Sequence, residues 1–171
     1  MIKRNIKCKN AAIIMRLYKS LVSLVRPRLK YSLQAWSPYH KKDIEVLERV
    51  QKRATKMVYG YRDLNYKDRL SLLELLSLAE RRVRGDLIEA FKLLKGIANL
   101  DYSLFFKLSG DSKVREHTYK KVKNSFRLDV RKHFFSNRVV DAWNELPQYM
   151  VDAETVNSFK ARLDTFFFHK I

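Results

Sequence analysis

The stretch Lys41-Lys42-Asp43-Ile44-Glu45-Val46-Leu47-Glu48-Arg49-Val50-Gln51-Lys52-Arg53-Ala54-Thr55-Lys56-Met57-Val58-Tyr59 carries the clearest periodicity in the chain. Ile44, Leu47, Val50, Ala54, Met57 and Val58 recur at three- and four-residue steps, the spacing of one helical face. The pattern predicts a helix over roughly 41–59, closed by Gly60. Arg49, Lys52, Arg53 and Lys56 stand at i, i+3, i+4 and i+7, so at about 100° per residue they share a second, narrow face. That face should lie nearly opposite the apolar one and carry no acid. Asp43, Glu45 and Glu48 are expected to be solvated, paired with nearby bases at i,i+4.

The same texture extends outward. On the N-terminal side, Ile14, Leu17, Tyr18, Leu21 and Val25 give an apolar face to a helix over 10–26, with Arg16, Lys19 and Arg26 on the other side. Pro27 breaks it. The stretch 29–36 resumes it until Ser37-Pro38. On the C-terminal side, Asn65 is placed to cap a short helix through Leu76. Ser77-Leu78-Ala79-Glu80 matches a capping box, opening a helix to Gly96 that should bury Val83, Leu87, Ala90, Phe91 and Leu94. Gly85 inside it costs roughly 1 kcal/mol against alanine, which a close helix crossing would explain.

Beyond Gly96 the pattern is more mixed. Leu104, Phe105, Phe106 and Leu108 form a short apolar piece in a connecting region over 97–118. Stretches 118–123 and 126–131 alternate, with Asn124-Ser125 as a turn, which makes a candidate hairpin. A helix over 135–145, with Val139, Val140 and Trp143, should end at Pro147. Thr155 should cap a last helix containing Val156, Phe159, Leu163, Phe166 and Phe167. The expected fold is mainly α: a helical bundle over 1–96, then a small α+β extension over 97–171.

Charge points to a partner. The 171 residues hold 36 Lys+Arg against 18 Asp+Glu, a formal net charge of +18. Residues 1–62 contain 16 bases and 3 acids, and no acid precedes Asp43. Such an excess repels itself unless a polyanion neutralises it, and nucleic acid does so most readily. Acidic proteins come second and anionic membrane a distant third. The stripe on 41–59 could be merely the solvated side of an amphipathic helix. The acid-free residues before it favour phosphate contact instead. Tyr18, Tyr31, Trp36, Tyr39, Tyr59 and Tyr61 lie near these bases. Core packing is the expectation for Tyr18 and Trp36, whereas Tyr59 and Tyr61 are open between packing and stacking on bases.

Catalytic signatures are sparse. There is no adjacent Asp pair for a two-metal site and no Gly-rich phosphate loop, and His40, His117, His133 and His169 are scattered without metal-ligand spacing. Cys8 is the single cysteine, so neither an intrachain disulfide nor a zinc finger is expected. No cofactor is implied. With no transmembrane-length apolar run and no signal-peptide core, the chain reads as intracellular, nuclear or cytoplasmic, and not membrane-bound.

Several strings resemble a known family. Leu17-Tyr18-Lys19-Ser20-Leu21-Val22, Val25-Arg26-Pro27-Arg28-Leu29 and Gln34-Ala35-Trp36-Ser37-Pro38 look like the segment after the palm in LINE (non-LTR retrotransposon) reverse transcriptases of the jockey-like group. The likeness continues through Lys41–Met57, Glu80–Glu89, Arg127–Lys132 and Phe135–Val140, with Trp143 and Leu146-Pro147 in order. Two departures stand out: Ser20-Leu21-Val22 is doubled as Ser23-Leu24-Val25, and Lys30 and Ser32 replace a common acid and cysteine.

The resemblance implies a thumb, a helical unit gripping the template–primer duplex, followed by a C-terminal extension. The metal-binding palm would lie upstream, so this chain would not itself catalyse RNA-directed DNA polymerisation. Carried over by position, Arg49, Lys52, Arg53 and Lys56, with Lys19, Arg26 and Arg28 around Pro27, fall where RNA, DNA or an RNA–DNA hybrid would be held. The rival expectation is a protein-interaction module or a decayed or repurposed fragment, packing on palm and fingers or on itself.

Overall fold

A computed structural model describes residues 12, 13, 16, 38, 40–107, 119–122, 127 and 129–169. The expected stretch 29–36, Lys19, Arg26 and Arg28 lie outside the described residues, as does most of the helix over 10–26. Residues 12, 13 and 16 of that helix are helical, and Arg16 is exposed as expected.

The described fold is mainly α. In chain order the helices are α1 (Lys41–Thr55), α2 (Tyr66–Leu72), α3 (Leu78–Leu94), α4 (Asp129–Lys132), α5 (Phe135–Asn144), α6 (Gln148–Val151) and α7 (Val156–His169), with a 3₁₀ turn, η1, at Tyr102–Leu104. The chain divides into two compact units, 1–79 and 80–171. The division falls in the first turn of α3, because Leu87, Ala90 and Phe91 of that helix belong to the second unit's core.

In unit 1, Asn65 caps α2 by accepting from the Tyr66 N–H at 2.8 Å. The chain leaves α2 through Glu74, at φ 51°, and Leu75 N–H returns to the Leu70 carbonyl at 2.9 Å. This left-handed closure turns Leu75 and Leu76 inward, where they are buried with Leu70 and Val58. α1 ends at Thr55, earlier than the sequence pattern suggests. A turn follows, and Gly60 sits in it at φ 79°, a conformation that suits glycine.

Unit 2 is built on aromatic packing. Phe91 of α3 stacks on Phe159 of α7 with centroids 4.3 Å apart, and Trp143 of α5 sits 6.2 Å from the same ring. Leu87, Leu146, Met150 and Leu163 complete a fully buried interior. Gly96, at φ 68°, ends the run after α3, with Ile97 N–H returning to the Lys92 carbonyl at 2.9 Å. Thr155 caps α7 by accepting from Ser158 N–H at 3.1 Å. Pro147 ends α5 as expected, and it also serves as the N-cap position of α6.

Three expectations are corrected. Residues 129–132 form α4, so 126–131 is not the second strand of a hairpin. The segment 119–122 is held instead by α5 and by Lys107. Asn144 accepts from Lys121 N–H and donates to its carbonyl, both at 3.0 Å, while Val122 N–H reaches the Lys107 carbonyl at 2.9 Å. An asparagine amide thus does the work of a neighbouring strand. Gly85 marks no helix crossing, because a Cβ added there would meet nothing within 4 Å. Val83 is exposed rather than buried.

Candidate nucleic-acid interface

The orientation of α1 is set by polar groups. Glu48, Gln51 and Thr55, at i, i+3 and i+7, are its buried residues, and Gln51 is 1% exposed. Gln51 Nε2 donates to the Leu76 carbonyl at 2.9 Å. Arg69 of α2, itself 2% exposed, donates from Nε to Thr55 Oγ1 at 3.2 Å and from Nη1 to the Leu64 carbonyl at 2.6 Å. Glu48 accepts from the Tyr66 hydroxyl and, at 3.0 Å, from the Leu78 N–H that opens α3. A carboxylate from one helix thereby satisfies an orphan donor at the start of another.

This network turns α1 away from its expected orientation. At 100° per residue, the centre of the buried face lies roughly 80° from the centre of the apolar stripe Ile44, Leu47, Val50 and Ala54. Val50 is consequently 64% exposed, and Val46 is exposed beside it. Buried amide and carboxylate groups cost more to leave unpaired than a valine loses by facing water, so their hydrogen bonds decide the rotation.

The basic stripe remains on the outside. Arg49, Lys52, Arg53 and Lys56 are all exposed, and Lys42 shares their side of the helix. Lys52 lies at its edge, with Nζ 5.2 Å from the centre of the Tyr66 ring. Among the described residues, Arg49, Arg53 and Lys56 form no ion pair. The expectation of an acid-free face is corrected: exposed Glu45 stands one turn before Arg49 on the same side, although it forms no ion pair among the described residues either. Glu48, expected to be solvated, is buried by its two donors. Lys52 and Arg53 also lie in the last turn of α1, where the helix dipole favours positive charge.

Sequence reasoning missed Gln51, Thr55, Tyr66 and Arg69, which position the stripe without belonging to it. The signal was present in the polar i, i+3, i+7 spacing of Glu48, Gln51 and Thr55. An apolar stripe on the same helix concealed it.

Among the described residues, the largest electrostatic perturbation lies in unit 2, away from the stripe in sequence. Lys121 is 2% exposed, and its Nζ sits 3.5 Å from the Phe106 ring centre, 4.2 Å from Trp143 and 5.4 Å from Tyr102, with no hydrogen-bond acceptor among the described residues. Burial pulls its pKa down from 10.5 to about 6. Burial likewise raises the pKa of the neighbouring Tyr102 phenol. Among the described residues no cluster of His, Cys, Asp or Glu could hold a metal ion, and no helix is long and apolar enough to cross a membrane. No family model matches the chain, and no curated protein or solved structure does either.

Proposed function

We propose that this chain is a non-catalytic nucleic-acid-binding unit that holds a duplex by its phosphates through the exposed face of α1. The observation that carries this reading is the set of exposed cations on one face, of which Arg49, Arg53 and Lys56 pair with no carboxylate among the described residues. Unneutralised cations at helical spacing fit a polyanion, which gains affinity by releasing counterions. Such contacts position a duplex but do not read its sequence. The net charge of +18 and its concentration in residues 1–62 support the same partner.

Combined with the resemblance to jockey-like LINE reverse transcriptases, the reading becomes that of a thumb and post-thumb region. Its ligand would be an RNA–DNA hybrid inside the cell, with polymerisation performed by a palm that these residues do not supply. The test is binding of a fluorescent RNA–DNA hybrid by the wild type and by a variant carrying Arg49→Glu, Lys52→Glu, Arg53→Glu and Lys56→Glu. Loss of binding with an unchanged far-UV spectrum is expected. Equal binding by both would overturn the reading.

A second reading rests on Val46 and Val50, which border the stripe and are exposed on α1. Valines beside arginines also suit a protein surface, such as a palm or a second copy of this chain. Concentration-dependent sedimentation abolished by Val46→Ser and Val50→Ser, with no hybrid binding, would favour it.

A further inference from the structure

Tyr59 follows the basic face directly. Lys56 caps α1, and the chain then turns through Met57, Val58, Tyr59 and Gly60, closed by Tyr61 N–H donating to the Val58 carbonyl at 3.2 Å. Val58 is buried and anchors the turn from below. Its neighbour Tyr59 is 79% exposed and makes no ring contact or hydrogen bond among the described residues. Gly60 at φ 79° lets the chain reverse immediately after the ring. Arg62, two residues beyond Gly60, is also exposed.

A large aromatic ring left in water beside cations is the combination that single-stranded nucleic-acid sites use. The cations track the backbone and the ring stacks on a base, whatever its identity. We propose that Tyr59 is a stacking platform for an unpaired nucleobase, so that this surface recognises a duplex at its junction with a single strand. The inference rests on the phosphate-binding reading of α1 and adds the form of nucleic acid bound. Cations at i, i+3, i+4 and i+7 cover about 10 Å of helix axis, and Tyr59 follows the last of them, Lys56, by three residues in the turn beyond the helix.

The experiment compares a blunt RNA–DNA hybrid with the same hybrid bearing a four-nucleotide single-stranded extension, for wild type, Tyr59→Ala and Tyr59→Phe. Wild type and Tyr59→Phe should bind the extended hybrid more tightly than the blunt one. Tyr59→Ala should weaken binding of the extended hybrid about 5- to 100-fold, leave the blunt hybrid unchanged, and keep the salt dependence of wild type. Equal binding of blunt and extended hybrids by wild type overturns the stacking role while the phosphate reading stands. So does a Tyr59→Ala loss shared by both hybrids. Failure of wild type to bind either hybrid overturns both.

Discussion

Asp86 of α3 and Arg138 of α5 form a fork-to-fork pair, with Arg138 Nε and Nη2 each donating to one carboxylate oxygen at 2.8 Å. The pair is largely buried, and Arg138 Nη1 also donates to the His133 carbonyl at 3.0 Å. It fixes α5 against α3 at the edge of the aromatic core. Arg84 and Asp164 tie α3 to α7 in the same way at 2.6 and 2.9 Å, with more exposure to solvent.

Breaking the buried pair by removing one partner strands a charge. Asp86→Ala is expected to destabilise unit 2 by about 3–5 kcal/mol, and Arg138→Lys to cost less but to lose the fork geometry. Asp164→Ala, at the more exposed pair, should cost no more than about 1 kcal/mol. Urea denaturation of the three variants measures this order directly. Equal effects at Asp86 and Asp164 would show that burial does not decide the outcome.

Lys121 makes stability depend on pH. Its folded-state pKa is about 6 and its ordinary value is 10.5, so between these values the unfolded chain binds the proton that the folded chain has released. Stability therefore rises with pH across that window, with a slope from this group of up to about 1.4 kcal/mol per pH unit. The rings of Phe106 and Trp143 favour the ammonium, which works against the effect of burial and narrows the window from its acid side. Lys121→Met should raise stability at pH 7 by about 1–3 kcal/mol, since it removes an unpaired buried amine from an apolar cage. The gain should fade as pH approaches 10, measured by thermal unfolding of both proteins from pH 6 to 10. A gain that does not vary with pH would mean that Lys121 stays charged when buried.

The glycines of α3 and its end should respond in opposite directions. Gly85 is exposed in mid-helix with open space around it, so Gly85→Ala should stabilise by about 0.5–1 kcal/mol. Gly96 holds φ 68°, and Gly96→Ala should destabilise by about 1 kcal/mol because a Cβ strains that backbone. Thermal midpoints of the two variants against wild type settle the signs.

How much of this was legible in the sequence depended on what fixes each element. Core periodicity places α3, α5 and α7, because Leu87 and Phe91, Val139 and Trp143, and Phe159 and Leu163 are buried pairs four residues apart, while Thr155 caps α7 and Pro147 follows the end of α5. The rotation of α1 was hidden. Its apolar stripe outnumbers Glu48, Gln51 and Thr55, but the partners of those three, Leu76, Leu78, Tyr66 and Arg69, lie 14 to 30 residues away and leave no local pattern. The hairpin failed for the same reason. Alternation over 118–131 does not reveal that Asn144, Trp143 and Lys107 supply the hydrogen bonds of Lys121, Tyr119 and Val122. The basic face was legible because exposed charge follows helix geometry alone. Its acid, Glu45, falls on that face by the same geometry.

If α1 holds a duplex by its phosphates, as proposed, binding must weaken steeply as salt rises. For an RNA–DNA hybrid contacted at four to six phosphates, log K against log salt should fall with a slope of about −4 to −5. Changing Arg49, Lys52, Arg53 and Lys56 together to Gln should make it shallower by about 3 to 4, near one unit for each lost contact. A wild-type slope near zero, or a slope untouched by the four substitutions, would contradict the account and leave the face of α1 as solvated surface.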